Sequence, residues 1–520
     1  MNTTNAALDI AQAVPEVSEL SIPPCIFVSF GATGDLTRRK IAPALFSLHL
    51  QKRLPESFAI VAFARRDMND ESYRDEVRKA IQEFAPKMPV EGPEWDSFAR
   101  NIFYLRSNLD DANGYQRLGE RLAQLDKERD LGGNHLYYLA TPPENFSEII
   151  ANLGQAGLNR SPRDGGWSRI VIEKPFGYDL ETARQLNREL NSIFGEDQIY
   201  RIDHYLGKET VQNIIVLRFA NQILEPLFNK NYVDHVQITV AETLGVEGRG
   251  NYFERAGITR DIVQNHALQV LSLIAMEPPV SLTADAIRDE KAKVLRSIRP
   301  FTPEDVANRT MRGQYGPGVI VTGDTEELVC GYRQEDGVDP HSNADTYAAF
   351  RFAVETWRWD GVPFYVQAGK RMPKRVTEVQ IQFKPVPDVL FARLPCGCVK
   401  PNRLILRIQP DEGAAIEMSN KVPGPEMDIQ SVRMDFKYGS AFDVPIRDAY
   451  ERLILDAMRG DASLFARNDE VEAAWSLITP ILEAWRDLSC PLFPNYPAGT
   501  WGPPSANNLL VGGQTWHAPV

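Results

Sequence analysis

Between Cys25 and Ile172, short apolar runs alternate with longer amphipathic ones, and this alternation constrains the fold more than any other feature. Cys25–Phe30, Phe58–Phe63, Leu136–Ala140 and Ile170–Ile172 each have the length and apolar density of a strand buried on both faces. The segments from Ile41 onward, Glu71–Phe84 and Tyr115–Glu128 carry apolar residues at helical spacing. Strand, helix and strand in repetition predict a doubly wound parallel sheet. Pro142 with Pro143, and Pro175, stop two of the strands at the edge where such sheets bind ligands.

The pattern changes after about residue 202. Val233–Glu242, Ala348–Val354, Val376–Lys384 and Leu404–Ile408 alternate apolar and polar residues, with Val379, Ile381 and Phe383 on one face. That spacing predicts antiparallel strands with one face covered, interrupted by helices at Asp261–Ile274 and Asp448–Arg459. The fold class is therefore α/β plus α+β. Residues 1–24 form a tail, 25–202 a Rossmann-like dinucleotide-binding domain, and 203–520 a larger α+β domain with a mostly antiparallel sheet. Pro491–Pro504 reads as an irregular tail.

Charge and composition narrow the function. A net charge of −13 argues against nucleic-acid binding, which needs a basic surface. No apolar stretch approaches the roughly 20 residues of a membrane helix, and Met1–Pro24 has the character of neither a signal nor a transit peptide. Cytoplasmic residence is the expectation. Cys25, Cys330, Cys396, Cys398 and Cys490 show no metal-ligand spacing, so free thiols and no metal are expected.

Gly31-Ala-Thr-Gly34 joins the first strand to the first helix, where glycines let the backbone approach a pyrophosphate. The same spacing suits a simple glycine turn, and its place after the first strand favours the phosphate loop. Arg65 and Arg66 follow the second strand, where an arginine suits a 2′-phosphate and so NADP; the adjacent Asp67 leaves some NAD use open.

Arg201-Ile-Asp-His-Tyr-Leu-Gly-Lys-Glu209 concentrates groups able to grip an anion, orient a base and bind sugar hydroxyls. His266 shares a helix face with Ile262, Val263, Ala267, Val270 and Leu271. A histidine there is either a satisfied core residue or a base, and Asp203 can serve as the carboxylate that fixes its tautomer. Lys174, in Glu173-Lys-Pro-Phe-Gly177, closes a strand where cofactor and substrate are both in reach; an exposed lysine is the plainer alternative. Lys370, Arg371, Lys374 and Arg375 form either a phosphate patch or a solvated loop.

Taken together in this order, with Glu247-Gly-Arg-Gly250, Arg260–His266 and Asp448–Asp456, these blocks resemble the glucose-6-phosphate dehydrogenase family from about Phe27 to at least Trp501. Asn495–Gly502 is similar to its bacterial members. The resemblance implies NADP-linked oxidation of glucose 6-phosphate at C1 to 6-phosphogluconolactone, in a homodimer or homotetramer. It implies His266 as general base with Asp203 as its partner. His204, Tyr205 and Lys208 would contact the sugar phosphate, Glu242 and Asp261 the hydroxyls, and Lys370 and Arg375 the substrate. Lys174 would serve both ligands. Gly31, Thr33, Gly34, Asp35, Leu36 and Arg65 would hold the cofactor. The alternatives are another Rossmann-type sugar oxidoreductase, or a catalytically silent NADP sensor.

Overall fold

A computed structural model describes residues 22–387, 389–391, 399–442 and 448–519. The expected N-terminal tail falls almost wholly outside these residues, and Cys396 and Cys398 lie outside them. The chain divides into two compact units. One runs to Ile172 and includes Tyr450–Asp461; the other comprises Glu173–Ala449 and Ala462–Val520.

In the first unit, five strands pair in parallel in the order Ser168–Ile172, His135–Leu139, Cys25–Phe30, Phe58–Ala64, Ile102–Arg106. The strand order reverses beside Cys25–Phe30, which places the ligand crevice at the C-terminal ends of this strand and its neighbours. All six residues of Cys25–Phe30 are buried, as expected of a strand with helices on both faces. Ile102–Arg106, at the end of this strand order, has only one buried residue, although Ile102, Phe103, Tyr104 and Leu105 are apolar or aromatic. The helix Ala449–Arg459 belongs to this unit, although it follows the large sheet in sequence. Arg169 secures it by donating to the carbonyls of Ala457 and Met458 at 2.9 and 2.7 Å.

The second unit is built on an eight-stranded sheet. Its order is Ile429–Lys437, Gly413–Lys421, Arg403–Gln409, Val376–Phe383, Val233–Ala241, Pro363–Gly369, Tyr347–Ala353, Thr310–Gly313. All the pairings are antiparallel except that between Val233–Ala241 and Pro363–Gly369.

The expectation of one covered face fails at the centre of this sheet. Val379 and Ile381 are buried on one face, and Gln237, Thr239, Gln367, Glu378 and Gln380 are buried on the other. The C-terminal segment accounts for part of this second layer. Gln237 donates to the Thr515 carbonyl at 2.8 Å, and its own Oε1 accepts from the His517 N–H at 2.8 Å. Buried amides must find partners, and a backbone segment supplies them. Burial also pushes Glu378 up to about 7. The expected tail around Pro491–Pro504 is ordered into the unit, because Tyr496–Pro497 pairs with Tyr315–Gly316 and Tyr496 is buried. No helix among the described residues is long and apolar enough to cross a membrane.

Candidate active site

Sheet register assembles one side of the site. Val233–Ala241 is flanked by Pro363–Gly369, with Ala241 opposite Gly369, and by Val376–Phe383, with Ala241 opposite Val376. Glu242, Lys370 and Arg375 therefore emerge at one end of the sheet. Lys370 Nζ donates to Glu242 Oε2 at 2.5 Å, and Lys370 is only 2% exposed. It is a built-in cation and not part of a solvated loop. Its expected neighbour Arg371 departs from the patch and lies 3.4 Å from both Glu247 and Glu335.

The other side comes from an unusual helix. Gly257, at φ +59°, breaks the preceding helix. A Cβ there would stand 2.3 Å from Asp345 Oδ1. Asp345 in turn accepts from the N–H and hydroxyl of Thr259, at 3.0 and 2.6 Å. From that anchor Thr259–Ala267 winds as a π-helix, continuing as an α-helix over Leu268–Ala275. The expected single helix with one apolar face is corrected on both counts, since every residue from Ile262 to Ala275 is buried. Wide turns of this kind are rare and concentrate at functional sites.

His266 is fully buried, and its ring is held on every side. Nδ1 lies 2.5 Å from Asp203 Oδ1, which also accepts the Tyr205 N–H at 2.9 Å. Nε2 lies 3.0 Å from Lys174 Nζ. An ammonium has no lone pair, so Nε2 must be the acceptor and Nδ1 must carry the proton that is donated to Asp203. Tyr205 stacks on the imidazole with centroids 4.2 Å apart, and His204 meets it edge-on at 4.5 Å.

The protonation states follow from these contacts. Burial lowers the His266 pKa, with Asp203 opposing and Lys174 adding to the shift. For Asp203, burial works to raise the pKa, but the His266 charge and hydrogen bond outweigh it and hold the carboxyl well below its usual range. Asp261 is likewise held low against burial, by Lys174, Lys370 and His266. Burial drives His204 well down. A neutral His266 between an ionised Asp203 and a cationic Lys174 has its one ring lone pair on Nε2, where Lys174 donates to it.

Lys174 also donates to the Asp261 carbonyl at 2.7 Å and lies 3.3 Å from its Oδ1. The Lys174–Pro175 bond is cis. Lys208 Nζ sits 4.1 Å over the Tyr205 ring and donates to Gln409 Oε1. Burial pushes it down to about 8. Gln409 Nε2 is 3.1 Å from Thr377 Oγ1, which lies 3.1 Å from the Tyr205 hydroxyl. Thr377 and Gln409 are cross-strand partners that the sequence pattern did not single out. Their only trace was a polar residue at each of two strand ends. Arg375 is exposed, and its charge reaches Lys208 and Tyr205. Asp203, His204 and His266 also offer one ligand atom each within 4.8 Å of one another. A metal there would have to displace the proton shared by Asp203 and His266.

The first unit holds a cavity of about 620 Å³ at the strand ends, lined in part by Gly31, Thr33, Gly34, Arg65, Asn108 and Thr141. Gly31 has φ +76°, and a Cβ would approach Ala140 O to 2.5 Å, so the turn requires glycine. Asp35 and Leu36 share this turn but do not line the cavity, and Asp35 pairs with Arg39 at 2.6 Å. Arg66 and Asp67 are engaged with Glu76 and Arg106, at 3.0 and 2.7 Å. Arg65 makes no ion pair among the described residues.

Comparison with known proteins gives one consistent result. Residues 28–213 match the family model described as glucose-6-phosphate dehydrogenase, NAD binding domain, and 215–517 match that of its C-terminal domain. The chain is 48% identical to a glucose-6-phosphate 1-dehydrogenase of Chlamydia pneumoniae, over 96% of this chain and 97% of that one. It is 45% identical to glucose-6-phosphate 1-dehydrogenase 2 of Mycobacterium tuberculosis, over 95% of each. Among solved structures, one is a glucose-6-phosphate dehydrogenase in complex with its substrate glucose-6-phosphate. It superposes with a TM-score of 0.85 at 34% identity, covering 95% of this chain and 99% of the other. The Mycobacterium avium enzyme superposes at 0.80, with 35% identity over 96% and 99%.

Proposed function

Because this chain belongs to the glucose-6-phosphate dehydrogenase family, we propose that it oxidises glucose 6-phosphate at C1 to the 1,5-lactone and reduces NADP. The observation that carries this reading is the Asp203–His266–Lys174 alignment. It puts the one imidazole lone pair on Nε2, which becomes the base once Lys174 gives way.

His266 Nε2 takes the C1 hydroxyl proton, and the imidazolium that forms is stabilised by Asp203 through Nδ1. For this the substrate hydroxyl must take the place of Lys174 at Nε2, and Lys174 then turns to ligand oxygens. NADP supplies the acceptor for the C1 hydride. Lys208, with His204, Tyr205 and Arg375, holds the 6-phosphate. Glu242, Asp261 and Lys370 hold the sugar hydroxyls. The phosphate is remote from C1, so its binding energy can enforce alignment at the reacting carbon.

The first-unit cavity suits the pyrophosphate end of NADP. Its backbone turn tolerates no Cβ at Gly31, and Arg65, without an ion pair among the described residues, suits the 2′-phosphate. Gly31, Thr33, Gly34 and Arg65 would hold the cofactor directly, with Asp35 and Leu36 shaping the turn. In this division of labour, residues 25–202 serve the cofactor and 203–520 the sugar and the assembly. Cytoplasmic residence and a homodimer or homotetramer complete the proposal.

The test is NADPH absorbance on mixing the protein with NADP and glucose 6-phosphate, with unphosphorylated glucose as control. Turnover should require the phosphate. Equal turnover of glucose would point to a different sugar oxidoreductase, and no NADPH from either would remove the enzymatic reading.

A further inference from the structure

A separate cavity in the second unit takes no part in the chemistry above. It measures about 620 Å³, within the usual range for small-molecule sites. Arg255, Arg260, Arg312 and Arg486 line it, and its only carboxylates are Glu254 and Asp345. Both carboxylates are already engaged. Glu254 accepts from the hydroxyls of Tyr332 and Ser342, the latter at 2.6 Å. Asp345 accepts twice from Thr259, and burial pushes its pKa up.

Arg260 feels the charges of Asp345 and Asp179, but Arg255, Arg312 and Arg486 are left with little to balance them. Arg255, Arg260 and Arg312 make no ion pair among the described residues, and Arg486 has only the exposed Glu483 at 3.9 Å. In a chain of net charge −13, four arginines around one concavity are an electrostatic exception. Guanidinium forks match phosphate oxygens in pairs, which lysines cannot do.

We propose that this cavity is a second anion site, which takes a phosphorylated metabolite bearing at least two negative charges. Its position couples it to the active site. Arg260 immediately precedes Asp261 in the π-helix, and its Nε donates to the Tyr178 carbonyl at 2.9 Å. Tyr178 follows the Lys174–Gly177 segment. Gly257 and Asp345, which start the π-helix, also line the cavity. A ligand that draws Arg260 toward itself thus acts on both elements that hold Lys174 against His266. Coupling of this kind is reciprocal: the ligand changes substrate affinity, and substrate changes ligand affinity by the same factor.

The test is calorimetric titration of the full chain with pyrophosphate at fixed ionic strength, with and without saturating glucose 6-phosphate plus NADPH. Only the choice of blocking ligands rests on the proposed function. Binding should persist when both are present, and sulfate should bind at least tenfold more weakly. The Arg255→Ser/Arg486→Ser protein should bind pyrophosphate at least tenfold more weakly while its turnover without pyrophosphate is unchanged, and the double Lys variant should recover part of the loss. Should the double Ser protein fail to fold, phenylglyoxal labelling of the unmodified chain decides, since pyrophosphate should protect Arg255 and Arg312. The proposal is overturned by absent binding, by equal binding of sulfate, by unchanged binding in the folded double Ser variant, or by no protection of these arginines.

Discussion

Lys174 and Asp203 grip opposite nitrogens of one imidazole, at 3.0 Å on Nε2 and 2.5 Å on Nδ1 of His266. The ammonium must donate and the carboxylate must accept, so together they select a single tautomer of the ring. In the proposed mechanism the base is thereby prepared before any sugar arrives, and Lys174 marks the place proposed for the hydroxyl.

Replacing Asp203 with Asn should lower turnover by about 10²–10⁴-fold. The amide can donate to Nδ1 and so favour the tautomer with its lone pair on the wrong nitrogen. Substrate affinity, measured by titration of glucose 6-phosphate in the absence of cofactor, should change little by comparison. Loss of binding equal to the loss of rate would assign Asp203 a structural role only.

Lys174 lowers the His266 pKa by charge, after burial, and Asp203 opposes it. The base works deprotonated, so activity is lost as pH falls through that pKa. In Lys174→Met the pKa should rise and the acidic limb of the normalised kcat profile should move to higher pH. A limb that stays in place would show that another group sets it.

Lys208 is pushed down to about 8 by burial. Its charge in the free enzyme is present below that pH and lost above it, so KM for glucose 6-phosphate should climb as pH rises past about 8. Arginine does not deprotonate in this range. Lys208→Arg should therefore move the climb to higher pH, even if its absolute KM is poorer.

Arg65→Ala should raise KM for NADP about tenfold or more, the worth of a hydrogen bond to a charged group, and leave KM for NAD nearly unchanged. Comparing initial rates with the two cofactors checks this. Equal effects on both would place the 2′-phosphate elsewhere.

Gly257→Ala should destabilise the second unit by about 1–3 kcal/mol. Its φ of +59° is strained for any side chain, and the new Cβ would press on Asp345 Oδ1. Urea denaturation should show a lower midpoint with an unchanged slope.

The sequence pattern reached the strands that are buried on both faces or that alternate cleanly. Cys25–Phe30 is an example of the first, and Val376–Phe383 of the second. It missed Gly413–Lys421 and Ile429–Lys437, although Ile416 and Met418, and Val432, Met434 and Phe436, alternate with polar residues; there the apolar side chains Met418, Val432, Met434 and Phe436 are exposed, so alternation does not report a buried face. It set Asp203 beside His266 because a carboxylate and an imidazole are chemically distinctive, and the two do meet at 2.5 Å. It could not foresee the π-helix, because a period of 3.6 was assumed where the backbone winds wider. Thr377 and Gln409 were invisible for a different reason. Each is an ordinary strand residue, and only the register that sets them opposite one another makes them a pair. The dispersal of the Lys370–Arg375 cluster likewise depends on backbone direction, since Arg371 turns at φ +51° toward Glu247 and Glu335.

The helix that carries His266 has no solvent-facing residue from Ile262 to Ala275. An amphipathic helix can drift in sequence on its wet side while its dry side stays fixed. This one has no wet side, so the alphabet open to it is small at every position. Adaptation of the enzyme to a new sugar or a new pH must then be written in the segments around it. Those are the turn at Lys174, the strand ends at Glu242 and Lys370, and the residues that meet Tyr205. His266 would then stay enclosed in one setting while its surroundings take the variation.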